Sequence, residues 1–134
     1  MLTEAIKKEL VSQAIEAQKS AYVPYSHYQV GAALLTSDGK IVQGSNIENA
    51  VYPLTLCAER VAVFKAVSEG ERQFEAIAVV TRNGGTPCGS CRQVLREFAK
   101  DILVLIADEE GVLHQEVTLE QLLPYSFGPE DLAE

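Results

Sequence analysis

Positive charge is scarce in this sequence. Eleven lysines and arginines face nineteen aspartates and glutamates among 134 residues, a formal net charge of −8 at pH 7. A sequence-independent grip on nucleic acid requires a cationic surface that displaces phosphate counterions, so no nucleic-acid partner is expected. Long apolar runs are missing as well. None approaches the roughly 18 residues of a membrane span, which argues against a membrane partner. The opening Met1-Leu2-Thr3-Glu4-Ala5-Ile6-Lys7-Lys8 lacks the basic-then-apolar layout of a secretory signal. The expected setting is therefore soluble and cytoplasmic. No internal repeat, low-complexity tract or linker interrupts the chain, so residues 1–134 read as a single domain. The loop Asn83-Gly84-Gly85 has no following Lys-Ser/Thr and is a turn rather than a phosphate-binding loop. Cysteines number only three, Cys57, Cys88 and Cys91. An odd count without an export signal is a poor disulfide framework, and three thiols in two short segments suit a ligand set or a redox pair better.

What is present is a regular alternation of elements. Leu2, Ile6, Leu10, Val11, Ala14 and Ala17 recur at helical spacing and predict an amphipathic helix over 2–18, broken by Val23-Pro24. Apolar residues 28–35 predict a strand, and Asp38-Gly39 turns it into a second strand over 41–45. A helix follows over 57–68, with Gly70 suited to its C-terminal cap. A short β run covers 76–80, a third helix 88 to about 99, and a buried strand 102–106. A weaker strand is expected over 112–117. Thr118 with Gln121 three residues on has the capping-box pattern of a last short helix, stopped at Pro124. This order predicts an α/β fold: a three-layer α/β/α arrangement around a mixed sheet of about five strands.

Two segments carry candidate chemistry, Cys57-Ala58-Glu59-Arg60 and Pro87-Cys88-Gly89-Ser90-Cys91-Arg92-Gln93. Each begins a predicted helix directly after a loop. Cys88 and Cys91, three apart, share one face of a helical first turn. Helix N-termini favour thiolate over thiol, so two such starts facing each other could surround one Zn²⁺ with three thiolates. Structural zinc sites are normally closed by four protein ligands and catalytic sites keep three. The two histidines, His27 and His114, fall in no ligand-like spacing, which favours an open Cys₃ site. A redox role for Cys88-Gly89-Ser90-Cys91 alone would leave Cys57-Ala58-Glu59 unexplained. A structural zinc module, with Glu59 or another group as fourth ligand, stays open at this point.

The pattern of three cysteines with Glu59 two residues after the first ligand is that of the zinc deaminases. Further segments extend the match: Asn46-Ile47-Glu48-Asn49-Ala50, Pro24-Tyr25-Ser26, Gln29-Val30-Gly31-Ala32-Ala33-Leu34 and Leu122-Leu123-Pro124. Together they resemble the small, homotetrameric cytidine deaminases over nearly the whole chain, in the right order. The resemblance implies hydrolytic deamination of cytidine and 2′-deoxycytidine in pyrimidine salvage, with one Zn²⁺ per subunit held by Cys57, Cys88 and Cys91. It implies Glu59 as proton shuttle, and Asn46 and Glu48 on the ribose hydroxyls. The Ala58 backbone and Tyr28, where relatives usually carry Phe, would lie near the base. Tyr52 and Phe127 would complete a neighbouring subunit's pocket, so that active sites are shared. Arg60 and Arg92, next to the ligand segments, are expected to offset the thiolate charge. A blasticidin-S-type deaminase shares the cysteine motifs, but residues 46–50 fit ribose binding better.

Overall fold

The computed structural model describes residues 2–133, so Met1 and Glu134, the ends of the expected single domain, lie outside the described residues. Helix α1 spans Glu4–Gln18, and the Thr3 hydroxyl caps it by accepting the Ile6 amide. Strands β1 (Gly31–Thr36) and β2 (Ile41–Ser45) form the expected hairpin, with Gly39 at φ +91° in its turn. A 3₁₀ turn at Tyr52–Leu54 precedes α2 (Ala58–Ser68). Next come β3 (Phe74–Thr81), α3 (Gly89–Phe98), β4 (Leu103–Asp108) and β5 (Leu113–Thr118). The chain ends with α4 (Leu119–Leu122), which has the expected Thr118–Gln121 capping box, and a 3₁₀ turn at Pro129–Leu132.

The five strands lie in the order β2-β1-β3-β4-β5, with β3 and β4 parallel and the other neighbours antiparallel. Period-2 alternation sorts the strand residues to two faces. Ala32, Leu34, Ile77, Val79, Val104 and Ile106 pack with α2 and α3 residues such as Val63 and Leu95. Ala33, Leu35, Ala78, Val80, Leu105 and Ala107 pack under Leu10 and Ala14 of α1. The result is the expected three-layer α/β/α arrangement.

One boundary departs from expectation in a way that matters below. The first strand begins at Gly31, not at Tyr28. The backbone of 28–30 is engaged instead by the Asn46 side chain, which donates to the Tyr28 carbonyl at 2.8 Å and accepts the Val30 amide at 2.9 Å. Cys57 and Cys88 are helix N-caps rather than helical residues. The register places Gly31 opposite both Ser45 and Val80, and Thr81 opposite Asp108. The start of β1 and the ends of β2, β3 and β4 therefore meet at one end of the sheet, where the carboxyl ends of parallel strands open to ligands in α/β folds.

Candidate active site

The site begins with a close approach. A Cβ on Gly44 of β2 would fall 2.4 Å from the Ala58 carbonyl oxygen and 2.5 Å from the Ala62 nitrogen, so only glycine admits the first turn of α2 this near the sheet. That approach seats Cys57, fully buried Ala58 and Glu59 against the end of β2. Across from them, the loop after β3 delivers Cys88 to the N-cap of α3 and Cys91 to its first turn. Neither N-cap cysteine makes a side-chain capping hydrogen bond, so the free N–H groups of two helix starts lie beside the thiols.

The three sulfurs lie within 4.8 Å of one another, with Cys57 Sγ 3.8 Å from Cys88 Sγ and Cys88 Sγ 3.4 Å from Cys91 Sγ. Tetrahedral zinc with Zn–S bonds of about 2.3 Å requires sulfur–sulfur separations of about 3.8 Å. The donor set and its spacing therefore fit zinc. They do not fit a disulfide, whose sulfurs are about 2 Å apart, and all three cysteines are free.

The electrostatics single out two neighbours of this cluster. The Cys57 thiol is drawn down to about 5, first by its hydrogen bond with Cys91 and then by the Arg60 guanidinium. Arg60 Nη2 lies 3.5 Å from Cys57 Sγ and 3.5 Å from the Thr55 carbonyl oxygen, while its buried Nε has no partner. The Cys91 thiol is pushed upward as hydrogen-bond partner of Cys57, and further by burial. Glu59, only 4% exposed, has its carboxyl pushed up to about 7, mainly by burial and also by the Cys57 charge. A carboxyl that exchanges a proton near neutrality is suited to general acid–base work.

The remaining candidates occupy the same end of the sheet with different environments. Asn46 is buried and spans the 28–30 backbone as described. Glu48 accepts the Tyr25 and Ser26 amides at 2.9 and 3.1 Å and the Ser26 hydroxyl, which together hold its carboxyl below the usual carboxylate range. With Tyr25, Ser26, Tyr52 and Thr55 it lines an open cavity. Tyr52 packs edge-on to Tyr25 with ring centroids 5.6 Å apart, yet is 69% exposed. Phe127 is 59% exposed, and its carbonyl accepts a bond from Gln93 Nε2. Arg92 reaches no cysteine sulfur; it donates to the Pro87 and Leu122 carbonyls at 2.8 and 2.7 Å and to the Thr86 hydroxyl. It braces the loop before α3 through the backbone, so its contacts do not provide the direct relief of thiolate charge expected of it.

Three participants were not anticipated from sequence. Ser26 links Glu48 to the Tyr28 amide, which its oxygen accepts at 3.0 Å. Asn83 accepts the Tyr28 hydroxyl at 2.6 Å. Arg96, 4% exposed, pairs with Glu130 and donates to the Ser126 hydroxyl, holding the segment that carries Phe127. Ser26 falls within Pro24-Tyr25-Ser26; Asn83 and Arg96 carry no spacing signal for these contacts, because Tyr28 and Ser126 lie 55 and 30 residues away.

Comparison with known proteins agrees with this geometry. The family model described as the cytidine and deoxycytidylate deaminase zinc-binding region matches residues 4–107. The cytidine deaminase of Halalkalibacterium halodurans is 51% identical over 129 residues, covering 94% of this chain and 97% of that protein. That of Sporosarcina psychrophila is 48% identical, covering 94% of each chain. A crystal structure of cytidine deaminase from Burkholderia pseudomallei superposes with a TM-score of 0.86 at 43% identity, covering 94% of this chain and all of that one. The blasticidin-S deaminase of Bacillus cereus is more distant, at 34% identity over 129 residues. The chain belongs to the cytidine and deoxycytidylate deaminase family. Among the described residues, no helix is long and apolar enough to cross a membrane.

Proposed function

We propose that the chain hydrolyses cytidine and 2′-deoxycytidine to uridine and 2′-deoxyuridine, releasing ammonia, with one Zn²⁺ per subunit. The observation that carries this reading is the convergence of three thiols within 4.8 Å beside the buried carboxyl of Glu59. Cys57, Cys88 and Cys91 hold the metal, which supplies Lewis acidity that lets water lose a proton near neutral pH. Glu59 takes a proton from the attacking water on a carboxylate oxygen. It delivers that proton to N3 of the pyrimidine, and then carries the proton of the new C4 hydroxyl to the departing amine, so that the C4–N bond breaks as the carbonyl forms. Its raised proton affinity lets one group serve as base and then as acid. Arg60, in contact with Cys57 Sγ, offsets part of the charge of three thiolates. Asn46 and Glu48 take the ribose hydroxyls, and the Ala58 backbone and the Tyr28 ring border the base.

The exposure of Tyr52 and Phe127 supports a homotetramer in which neighbouring subunits cover each other's sites. Two aromatic rings left in water gain about 25 cal/mol per Å² when an apposed surface covers them. Cytoplasmic pyrimidine salvage is the setting this reading implies.

The ultraviolet difference spectrum of cytidine mixed with zinc-loaded protein tests the reaction. Conversion to uridine is expected for the wild type. Glu59→Gln should keep its zinc and lose about 10²–10⁴-fold in turnover. Zinc-loaded wild type that leaves cytidine and deoxycytidine unchanged would refute this substrate assignment, and blasticidin S would be tried next. A Glu59→Gln variant of undiminished activity would remove Glu59 from the mechanism.

A further inference from the structure

Residues 82–87 connect the end of β3 to Cys88, so their placement determines where one metal ligand sits. The loop is fastened at both ends by its own neighbours. Near β3, the Gly85 amide donates to the Thr81 hydroxyl at 2.8 Å. Near α3, Arg92 donates to the Pro87 carbonyl and the Thr86 hydroxyl at 2.8 and 3.3 Å. Among the described residues, one side-chain hydrogen bond ties the loop to a segment outside 81–92. The Tyr28 hydroxyl donates to Asn83 Oδ1 at 2.6 Å.

That contact is closely fitted. The Arg82 guanidinium carbon lies 5.1 Å from the centre of the Tyr28 ring, within cation–π range. A Cβ on Gly85 would come within 2.9 Å of the Tyr28 hydroxyl oxygen, so the loop backbone lies directly against it. Tyr28 itself is set by Asn46 and Ser26, which engage its carbonyl and its amide. A phenol has a single proton to donate, and here Asn83 takes it.

We infer that Asn83 and the Tyr28 hydroxyl form a tie that positions the Cys88 loop, so that this hydroxyl serves the metal ligands and not the nucleoside. The inference rests on the reading of the three cysteines as a zinc site. Tyr28 borders the base with its ring and steadies Cys88 with its oxygen. Any change that cuts the tie lets the loop move, and with it the Cys88 sulfur.

Zinc release from the loaded protein to the chromogenic chelator 4-(2-pyridylazo)resorcinol tests this without reference to turnover. Tyr28→Phe and Asn83→Leu should each speed release about three- to tenfold, the weight of one hydrogen bond. The double variant should release zinc no faster than Asn83→Leu alone, because that change already removes the Tyr28 bond, together with the 3.3 Å bond from the Thr81 hydroxyl to the same oxygen. Asn83→Asp retains an acceptor oxygen and should release zinc at the wild-type rate. It also keeps the test sound if Asn83→Leu folds poorly. Wild-type release from Tyr28→Phe, or additive effects in the double variant, would overturn the tie while leaving the zinc site intact. So would a raised cytidine KM in Tyr28→Phe with unaltered zinc release, which would return the hydroxyl to the nucleoside. A wild-type protein that retains no zinc would overturn the zinc reading and this inference together.

Discussion

Cys57 and Glu59 are two residues apart and are driven in opposite directions by the same local structure. The Cys57 sulfur sits at a helix N-cap beside a guanidinium, where a negative charge is favoured. The Glu59 carboxyl, in the first turn of the same helix, is buried, and a negative charge there is penalised. One short segment thereby holds a sulfur that favours the thiolate and a carboxyl able to carry a proton. Arg60 makes the arrangement affordable by donating to the sulfur and to the Thr55 carbonyl. Arg60→Gln removes a charge-assisted bond of about 1.5–3 kcal/mol, so zinc affinity in chelator competition should fall about ten- to a hundredfold. Unchanged affinity would show that the two helix N-termini balance the thiolates unaided.

At the scale of elements, two close contacts hold the site to the scaffold. The first is the crossing of α2 over β2 at Gly44. Gly44→Ala forces α2 away from the sheet, and overpacking of this kind costs about 1–3 kcal/mol or more. The expected outcome is a Tm roughly 5 to 15 °C lower, accompanied by faster zinc loss; a wild-type melting curve would contradict the contact. The second is the clasp of α3 on the C-terminal segment. Gly128 lies flat against the Arg96 guanidinium, where a Cβ would fall 2.4 Å from its central carbon. Arg96 holds the Glu130 carboxyl below its ordinary value of 4.5, chiefly through their hydrogen bond. A depressed folded-state pKa means that the clasp stabilises the segment above pH 4.5 and weakens as pH falls below it, through the lowered value. Amide exchange of residues 126–132, corrected for its intrinsic pH dependence, should show protection at pH 6 that diminishes as the pH is taken below 4.5. Arg96→Met should show the same loss already at pH 6.

For the whole molecule, zinc bound as proposed would act as a cross-link between two segments of the chain. Cys57 belongs to the α2 segment and Cys88 and Cys91 to α3, separated in the chain by β3. Zinc bound to the folded state alone adds about 4 kcal/mol at a thousandfold excess over its dissociation constant. Stripping it with a chelator should lower Tm by roughly 10 °C or more, and added zinc should restore it. A melting temperature indifferent to zinc would mean that the cysteine cluster contributes nothing to stability.

Local pattern alone revealed the helices, the hairpin, the three-layer class, the cysteine–glutamate motif and the capping box at Thr118. Each depends on residues a few positions apart, and periodicity or turn chemistry records such relations directly. Resemblance in several ordered segments added the family. Tertiary structure decided the rest. It started β1 only at Gly31, because the Asn46 side chain, distant in sequence, takes the Tyr28 and Val30 backbone groups a longer strand would use. It brought Arg60 onto a sulfur and turned Arg92 to carbonyls instead. It paired Tyr28 with Asn83 and Arg96 with Glu130 across 55 and 34 residues. Such pairings leave no periodic trace in the chain, since they depend on which strand ends and helix starts the sheet order carries to the same edge.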